Sequence, residues 1–289
     1  MNVLSLFDGM SCGLQALKQA GIPVTNYFAS EIDKYAITIS KKNHPEIIHI
    51  GDVTKVETRN GNLLVDGKEY KIDLVIGGSP CQGFSFAGKQ LNFSDPRSKL
   101  FFEFVRLKNE LSPKYFLLEN VRMKQEYEDV INEHLKVRPF LINSSIVSAQ
   151  NRNRLYWTNI SKIEIIEKDL KWSDVMEHDA KNVYYVTEKM MNWINSSPER
   201  QKKFKIYTSE TETKMQMLEA SHCKGISNQR CFAIADKKGY RYISPIECER
   251  LQTLPDNYTE GVSNTQRYKM LGNGWTVSVI EHIFKSIDN

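Results

Sequence analysis

The chain has 289 residues, 40% hydrophobic and 26% charged, with 39 Lys and Arg against 35 Asp and Glu for a formal net charge of +4. This balance excludes disordered and collagen-like chains, allows a buried core in one large or two smaller domains, and permits a nucleic-acid partner without requiring one. No run approaches the roughly 18 apolar residues of a membrane span, and MNVLSLFDGM lacks the parts of a signal peptide.

Short apolar runs alternate with longer helical patterns through the first half. Val3 to Phe7 reads as a buried strand, followed by the turn Asp8-Gly9-Met10-Ser11-Cys12-Gly13 into a helix reaching about Ala20. A second strand, Val24 to Ala29, ends at Ser30-Glu31, and a helix spans Lys34 to Asn43. Ile47 to Ile50 leads to Gly51-Asp52-Val53 as a third strand end. Asn60-Gly61 and Asp66-Gly67 then flank Leu63-Leu64-Val65, two hairpin signals that predict a small β insertion. Asp73 to Ile76 is a fourth strand, closed by Gly77-Gly78-Ser79-Pro80-Cys81. A helix from about Ser98 to Leu111 precedes a fifth strand, Tyr115 to Leu118, ending at Glu119-Asn120. Strands spaced by helices in this way predict an α/β fold with a doubly wound, mostly parallel sheet. After about Ile160 the periodicity is lost, and Arg200, Lys202, Lys203 and Lys205 cluster beside Phe204 and Tyr207. Helical patterns return at Ser244–Leu254 and Trp275–Ile287, the latter able to close back onto the sheet.

Five cysteines, no two at C-x-x-C spacing, argue against a disulfide framework or a zinc site and for a reducing cytoplasm. The first turn has only Gly9 and Gly13, so the G-x-G-x-x-G that cradles a pyrophosphate is missing. What remains suits a cofactor without phosphates. N–H groups at the helix start can hold a carboxylate, Glu31 can accept both hydroxyls of a ribose, and Asp52 an exocyclic amine. A carboxylate, a ribose and an adenine together describe S-adenosylmethionine; a generic α/β turn with helix-capping acids fits these three positions equally well. Cys81 sits at the C-terminal edge of the sheet, where such folds place their ligands, and would act as the thiolate. Glu119, ending a neighbouring apolar strand, should open onto the same crevice, partly desolvated and able to donate a proton near neutrality. In Gln150-Asn151-Arg152-Asn153-Arg154, strand geometry puts Gln150, Arg152 and Arg154 on one face, offering two guanidiniums to an anion.

In order along the chain, FDGMSCG, Glu31, Asp52, SPCQGFSFAG, ENV at 119–121, Q-x-R-x-R at 150–154, YISPIECERLQTLP at 242–255 and LGNGWTV at 271–277 closely resemble the C5-cytosine DNA methyltransferase family. The resemblance covers essentially the whole chain except about 161–240. SPCQGFS and QNRNR look like bacterial and phage members, while the opening and closing motifs are similar to the eukaryotic de novo branch. Ser11 stands where the family usually has a second glycine, and Gly274-Trp275 replaces a small-residue–Val pair.

The resemblance implies a Rossmann-like S-adenosylmethionine-dependent methyltransferase domain at 1–160 and 255–289, with a target-recognition region at 161–254. It implies a nucleophile at Cys81 that adds to C6 of a cytosine flipped from duplex DNA. Glu119 would contact N3 and the 4-amino group, Arg154 O2, and Arg152 the nearby backbone. Cofactor contacts are implied for Phe7, Asp8, Gly9, Met10, Ser11, Glu31, Ile32, Asp52, Val53, Pro80, Leu100, Asn273, Gly274 and Trp275. DNA contacts are implied for Gln82, Ser85 and Arg97, in a loop over 82–99 hinged at Gly83 and Gly88. The implied partner is double-stranded DNA, with no metal and no membrane. The implied setting is the cytoplasm of a bacterial or phage-infected cell, in association with the nucleoid, the implied state on DNA is a monomer, and a cognate restriction endonuclease is left open. Three rivals remain: a tRNA-directed relative, whose Cys-Phe-Thr signature is missing from 161–240; a catalytically silent DNA-binding homologue; and a dehydrogenase, which needs the absent phosphate-binding glycines.

Overall fold

The computed structural model describes residues 1–79, 96–181, 183–208, 214–222 and 231–287. It divides into two compact units, Met1–Asn143 with Asn153–Ile166 and Val277–Asn289, and Ser144–Arg152 with Glu167–Thr276.

In chain order the first part runs β1 (Asn2–Leu6), α1 (Cys12–Gln19), β2 (Asn26–Ser30), α2 (Lys34–Asn43), β3 (Ile48–His49), β4 (Glu57–Arg59), β5 (Asn62–Val65), β6 (Lys68–Tyr70), β7 (Leu74–Gly77), α3 (Pro96–Leu111), β8 (Tyr115–Asn120), α4 (Gln125–Leu135), β9 (Phe140–Asn143), β10 (Gln150–Asn151) and β11 (Asn153–Thr158). All but β10 belong to the first unit. Its main sheet has the order β3-β2-β1-β7-β8-β11-β9. The first five strands are parallel, and β11 runs antiparallel between β8 and β9. The mostly parallel sheet expected from the strand–helix alternation is therefore present, with an antiparallel hairpin at one side.

Register explains which residues meet. Leu4 pairs with Val75 and Val75 with Phe116, while Leu6 pairs with Gly77 and Gly77 with Leu118. These side chains share one face by the period of two, and α3 covers that face with Phe101, Phe104, Leu107 and Leu111. A Cβ on Gly77 would lie 3.0 Å from the Leu6 carbonyl and 3.1 Å from the Phe104 ring, so glycine is what admits Phe104 there. The predicted β insertion is a three-stranded meander, β4-β5-β6. Asn60 and Gly61 (φ 52° and 77°) and Asp66 and Gly67 (φ 48° and 75°) are the paired left-handed residues of tight hairpin turns. Its Leu63 is fully buried in the same core, and Tyr70 packs 4.8 Å from Phe28. Arg106 of α3 donates to the carbonyls of Val53 and Val56 and pairs with Glu103 and Glu110, bracing the segment that leads into the meander.

The second unit contains β10, α5 (Trp172–Val175), α6 (Glu188–Asn195), α7 (Pro198–Lys203), β12 (Phe204–Tyr207), β13 (Met215–Gln216), β14 (Cys231–Asp236), β15 (Gly239–Arg241), α8 (Pro245–Leu251) and α9 (Asn264–Asn273). β12, β14 and β15 form one small sheet and β10 pairs with β13. Ser244 and Glu247 make a reciprocal capping box at the start of α8, with Pro245 in the first turn. Then α10 (Val277–Lys285) returns to the first unit, where it packs on α1.

The division at Thr276 differs from the boundary expected at 254. Glu249 explains it: its carboxylate accepts from the backbone of Asn257 and Thr259 and pairs with Arg267 at 2.9 Å, tying 255–267 to α8. Buried polar ties of this kind leave no trace in hydrophobic periodicity. No helix among the described residues is long and apolar enough to cross a membrane.

A Cβ on Gly272 would lie 2.2 Å from the Ala220 backbone nitrogen, where no flexible side chain can give way. Gly272→Ala is expected to destabilise the second unit by about 3 kcal/mol, the upper range for overpacking, as read from urea unfolding.

Candidate active site

The turn after β1 is backbone-strained. Phe7, Gly9 and Ser11 have φ of 57°, 61° and 64°, a left-handed region that only glycine adopts without cost. Asp8 N–H donates to the Ser30 carbonyl at 3.1 Å, which holds the turn against the end of β2. Glu31 follows that strand end. Its carboxylate accepts from the N–H of Gly9 at 2.8 Å, of Ile32 at 2.7 Å and of Asp33 at 2.8 Å, so its orientation is set by backbone alone. The Asp8 carboxylate accepts from Ser11 Oγ at 2.5 Å and Tyr27 Oη at 2.7 Å. Burial pushes its pKa up to about 6; hydrogen bonds from Ser11, Ser5 and Tyr27 pull it down, and the Glu31 charge adds to the rise. Ser11 also contacts Ser40 Oγ at 2.6 Å, so its hydroxyl faces inward and does not cap α1.

Ser30 Oγ donates to the Gly51 carbonyl at 2.8 Å, which brings the chain after β3 to the same strand end. Asp52 there accepts from the N–H and hydroxyl of Thr54, both at 2.9 Å, and these bonds hold its carboxyl below the usual range. Met10 and Val53 are buried, Leu100 is half-buried against the core, and Ile32 is 75% exposed. Glu31 and Asp52 oppose a pyrophosphate and suit hydroxyls and amines, while Ile32 offers an apolar surface. The residues present fit a nucleoside cofactor without phosphates.

The end of β8 carries the second set. Glu119 is buried, and Arg154 Nε of β11 lies 2.8 Å from its carboxylate. The sequence placed Glu119 among apolar strand neighbours; the structure adds a cation at hydrogen-bond distance, supplied by the antiparallel pairing of β11 with β8. Asn120, read only as part of ENV, has a distinct task. Its Nδ2 donates to Ser79 at the carbonyl (3.3 Å) and at Oγ (3.2 Å), while Oδ1 accepts from Val121 N–H. It therefore fixes Ser79, two residues before Cys81 in the chain. Pro80, Cys81, Gln82, Gly83, Ser85 and Gly88 lie outside the described residues. So does the side chain of Arg97, whose backbone is in the first turn of α3.

The expected offer of two guanidiniums to an anion is corrected: Gln150, Arg152 and Arg154 are buried and alternate with exposed Asn151 and Asn153, but the Arg152 guanidinium is spent on backbone carbonyls. The strand breaks at Arg152, and the chain passes from the second unit to the first between Arg152 and Asn153. Arg152 is 2% exposed, and its guanidinium donates to the carbonyls of Leu218, Gly272 and Gly274 at 2.8–3.1 Å. Gln150 donates to the Leu251 carbonyl and to Gln252, and Gln252 in turn donates to the Leu271 and Gly274 carbonyls. Q-x-R, E-R-L-Q and L-G-N-G are thus parts of one buried polar knot in the second unit. Asn273 ends α9 there, followed by Gly274 and Trp275. Among the described residues no group of three His, Cys, Asp or Glu could hold a metal ion.

The architecture is that of solved methyltransferases. The Entamoeba histolytica methyltransferase EhMeth superposes with a TM-score of 0.81 at 18% identity, covering 99% of this chain and 97% of that one. Dnmt2 of S. pombe gives 0.77 at 19% identity over 99% and 97%. At such identities the likeness concerns the fold, a mixed α/β methyltransferase with a large, mostly parallel sheet. The chain itself matches C-5 cytosine-specific DNA methylase over residues 1–217 and 157–289, and it belongs to that family. It is 30% identical to the type II methyltransferase M1.ScrFI of Lactococcus lactis subsp. cremoris, over 90% of this chain and 71% of that protein. It is 27% identical to the type II methyltransferase M.NlaX of Neisseria lactamica, over 97% and 94%. It is 32% identical to the orphan methyltransferase M.Rho11sI of Bacillus phage rho11s, over 68% of this chain but 39% of the phage protein.

Breaking the Glu119–Arg154 pair from the cation side leaves a buried carboxylate without that partner. Arg154→Ala is expected to lower stability by about 3–5 kcal/mol and Arg154→Lys by less, measured by chemical denaturation.

Proposed function

We propose that the chain is a DNA (cytosine-5-)-methyltransferase that uses S-adenosylmethionine and a covalent Cys81–cytosine adduct. The observation that carries the reading is the end of β8, where Glu119 is paired with Arg154 and the adjacent Asn120 grips Ser79 just ahead of Pro80-Cys81. A capping acid needs neither a buried guanidinium nor a neighbour tied to the residue two before a cysteine.

When bound, S-adenosylmethionine supplies an electrophilic methyl group on a sulfonium. On the protein side, Glu31 accepts the ribose hydroxyls, Asp52 the adenine amine, and the start of α1 takes the carboxylate, with Ile32 and Val53 against the base. Phe7, Asp8, Gly9, Met10 and Ser11 shape the turn. The family pattern implies further cofactor contacts at Pro80 and Leu100.

C5 of cytosine is too electron-poor to attack a methyl group unaided. Addition of the Cys81 thiolate to C6 forms a C–S bond and makes C5 an enamine-like nucleophile. Glu119 at N3 and the 4-amino group stabilises the charge that this addition develops, and Arg154 holds Glu119 and contacts O2. After methylation, loss of the C5 proton re-forms the 5,6 double bond and expels Cys81 as thiolate. A stacked base cannot present C5 and C6, so the cytosine is flipped out at a cost of a few kcal/mol. Gln82, Ser85 and Arg97 contact the DNA, as the family pattern implies. In the second unit, Arg200, Lys202, Lys203 and Lys205 on α7 and β12 contact phosphates, with Arg200 stacked 4.0 Å over Trp193.

The test is transfer of labelled methyl from S-adenosylmethionine to unmodified duplex DNA, read by nucleoside mass spectrometry. The wild type is expected to produce 5-methylcytosine, Cys81→Ala none, and Glu119→Gln about 10²–10⁴-fold less while still binding DNA. Label entering tRNA but not DNA overturns the substrate; no label in either overturns the enzymatic reading.

A further inference from the structure

The Phe7–Ser11 turn carries two features that the fold alone does not require: left-handed backbone at a serine, and a buried carboxylate beside it. Strain and buried charge held together are marks of a working site.

Both enter one hydrogen-bonded chain. Ser11 Oγ donates to Asp8 Oδ2, and Tyr27 Oη donates to Asp8 Oδ1. Ser11 has a single hydroxyl proton, so in its 2.6 Å contact with Ser40 the donor is Ser40. That uses the Ser40 proton, and the 3.4 Å contact between Ser40 and His49 Nε2 then requires the hydrogen on Nε2. His49 Nδ1 is left as a buried acceptor with no partner among the described residues. The donors therefore run in one direction, from His49 on β3 through Ser40 on α2 and Ser11 at the start of α1, and they end on a carboxylate. Above this chain, Gly9 N–H of the same turn orients Glu31.

We propose that Asp8 is a positioning residue for the cofactor: through Ser11 and Ser40 its carboxylate locks the turn that aims Glu31, and so sets cofactor affinity through that turn. The proposal rests on the S-adenosylmethionine reading above. It also explains why serine can stand where the family usually has glycine, since the hydroxyl held by Asp8 and Ser40 offsets the left-handed strain.

The groups facing Asp8 are Ser5 from β1, Tyr27 from β2, Ser11 from the turn and Glu31 beyond β2; those facing His49 are Ser40 and Lys41 from α2 and, again, Glu31. With its pKa pushed up to about 6, mainly by burial, Asp8 is ionised at neutral pH and protonated in mild acid. A proton on either oxygen falls where Ser11 or Tyr27 donates, so one donor must turn away and the chain loses its direction. The ionised form is the competent one. Affinity is full above this pKa and is lost as pH falls through it.

Calorimetric titration with S-adenosylmethionine between pH 5 and 8 tests this on the full chain. The wild-type Kd is expected to rise several-fold as pH falls from 7.5 to 5, approaching the Asp8→Asn value as Asp8 is protonated. Asp8→Asn should bind about tenfold more weakly at pH 7.5 and show a flat profile, having lost a charged acceptor. Ser11→Ala, which keeps the strained Cβ without the hydroxyl, should weaken binding by a similar factor of about ten, and Ser11→Gly should recover most of the loss. Circular dichroism confirms folding, and the Ser11 pair decides the matter if Asp8→Asn does not fold. A pH-independent wild type, an Asp8→Asn curve that follows the wild type, or wild-type binding by Ser11→Ala overturns the proposal. Absence of wild-type binding at pH 7.5 overturns the cofactor reading itself.

Discussion

Parallel pairing of β2, β1, β7 and β8 is the constraint on which the first unit depends. Leu6 stands opposite Ser30 on one side and Gly77 on the other, and Gly77 stands opposite Leu118. Four strands therefore end level along one edge, and each end delivers its next residues there: Glu31 after β2, the 7–11 turn after β1, Ser79 after β7, and Glu119 with Asn120 on β8. A parallel sheet buries both faces and leaves this edge as the place for a ligand. Phe104 against Gly77 and the meander under Phe28 hold the strands that supply the edge.

The polar groups of the site are pre-organised by different means. Glu31 is oriented by backbone N–H groups, which have no rotamers to lose. Glu119 is held by a side-chain cation from an antiparallel neighbour, and Ser79 by the amide of Asn120. The second unit uses the same device for a different end, satisfying buried carbonyls of α9 and of 218 with Arg152 and Gln252. Satisfied buried networks of this kind specify one arrangement of the chain, because each member is costly to leave unpaired.

Much of the first unit was legible in the sequence. The α2 boundaries, the two hairpin turns of the meander and the strand-end acids followed from periodicity, Gly pairs and residue type. The β9–β11 hairpin and α4 were not. Phe140 and Leu141 of β9 are both half-exposed, so that edge strand lacks the alternation of a half-buried one. The split of Arg152 from Arg154 was equally hidden, since an unbroken strand was the simplest reading of Q-x-R-x-R.

By itself the sequence determined the strand–helix alternation, the absence of a pyrophosphate loop and the set of chemical groups that end the strands, because these follow from local pattern and residue type. The tertiary structure decided which groups meet: Arg154 with Glu119, Asn120 with Ser79, Asp8 with Ser11, Ser40 and His49, and Arg152 with the carbonyls of its own unit. Such partners lie far apart in the chain or in different elements. Their pairing depends on register and on the packing of buried polar groups, neither of which has a period that a single sequence displays.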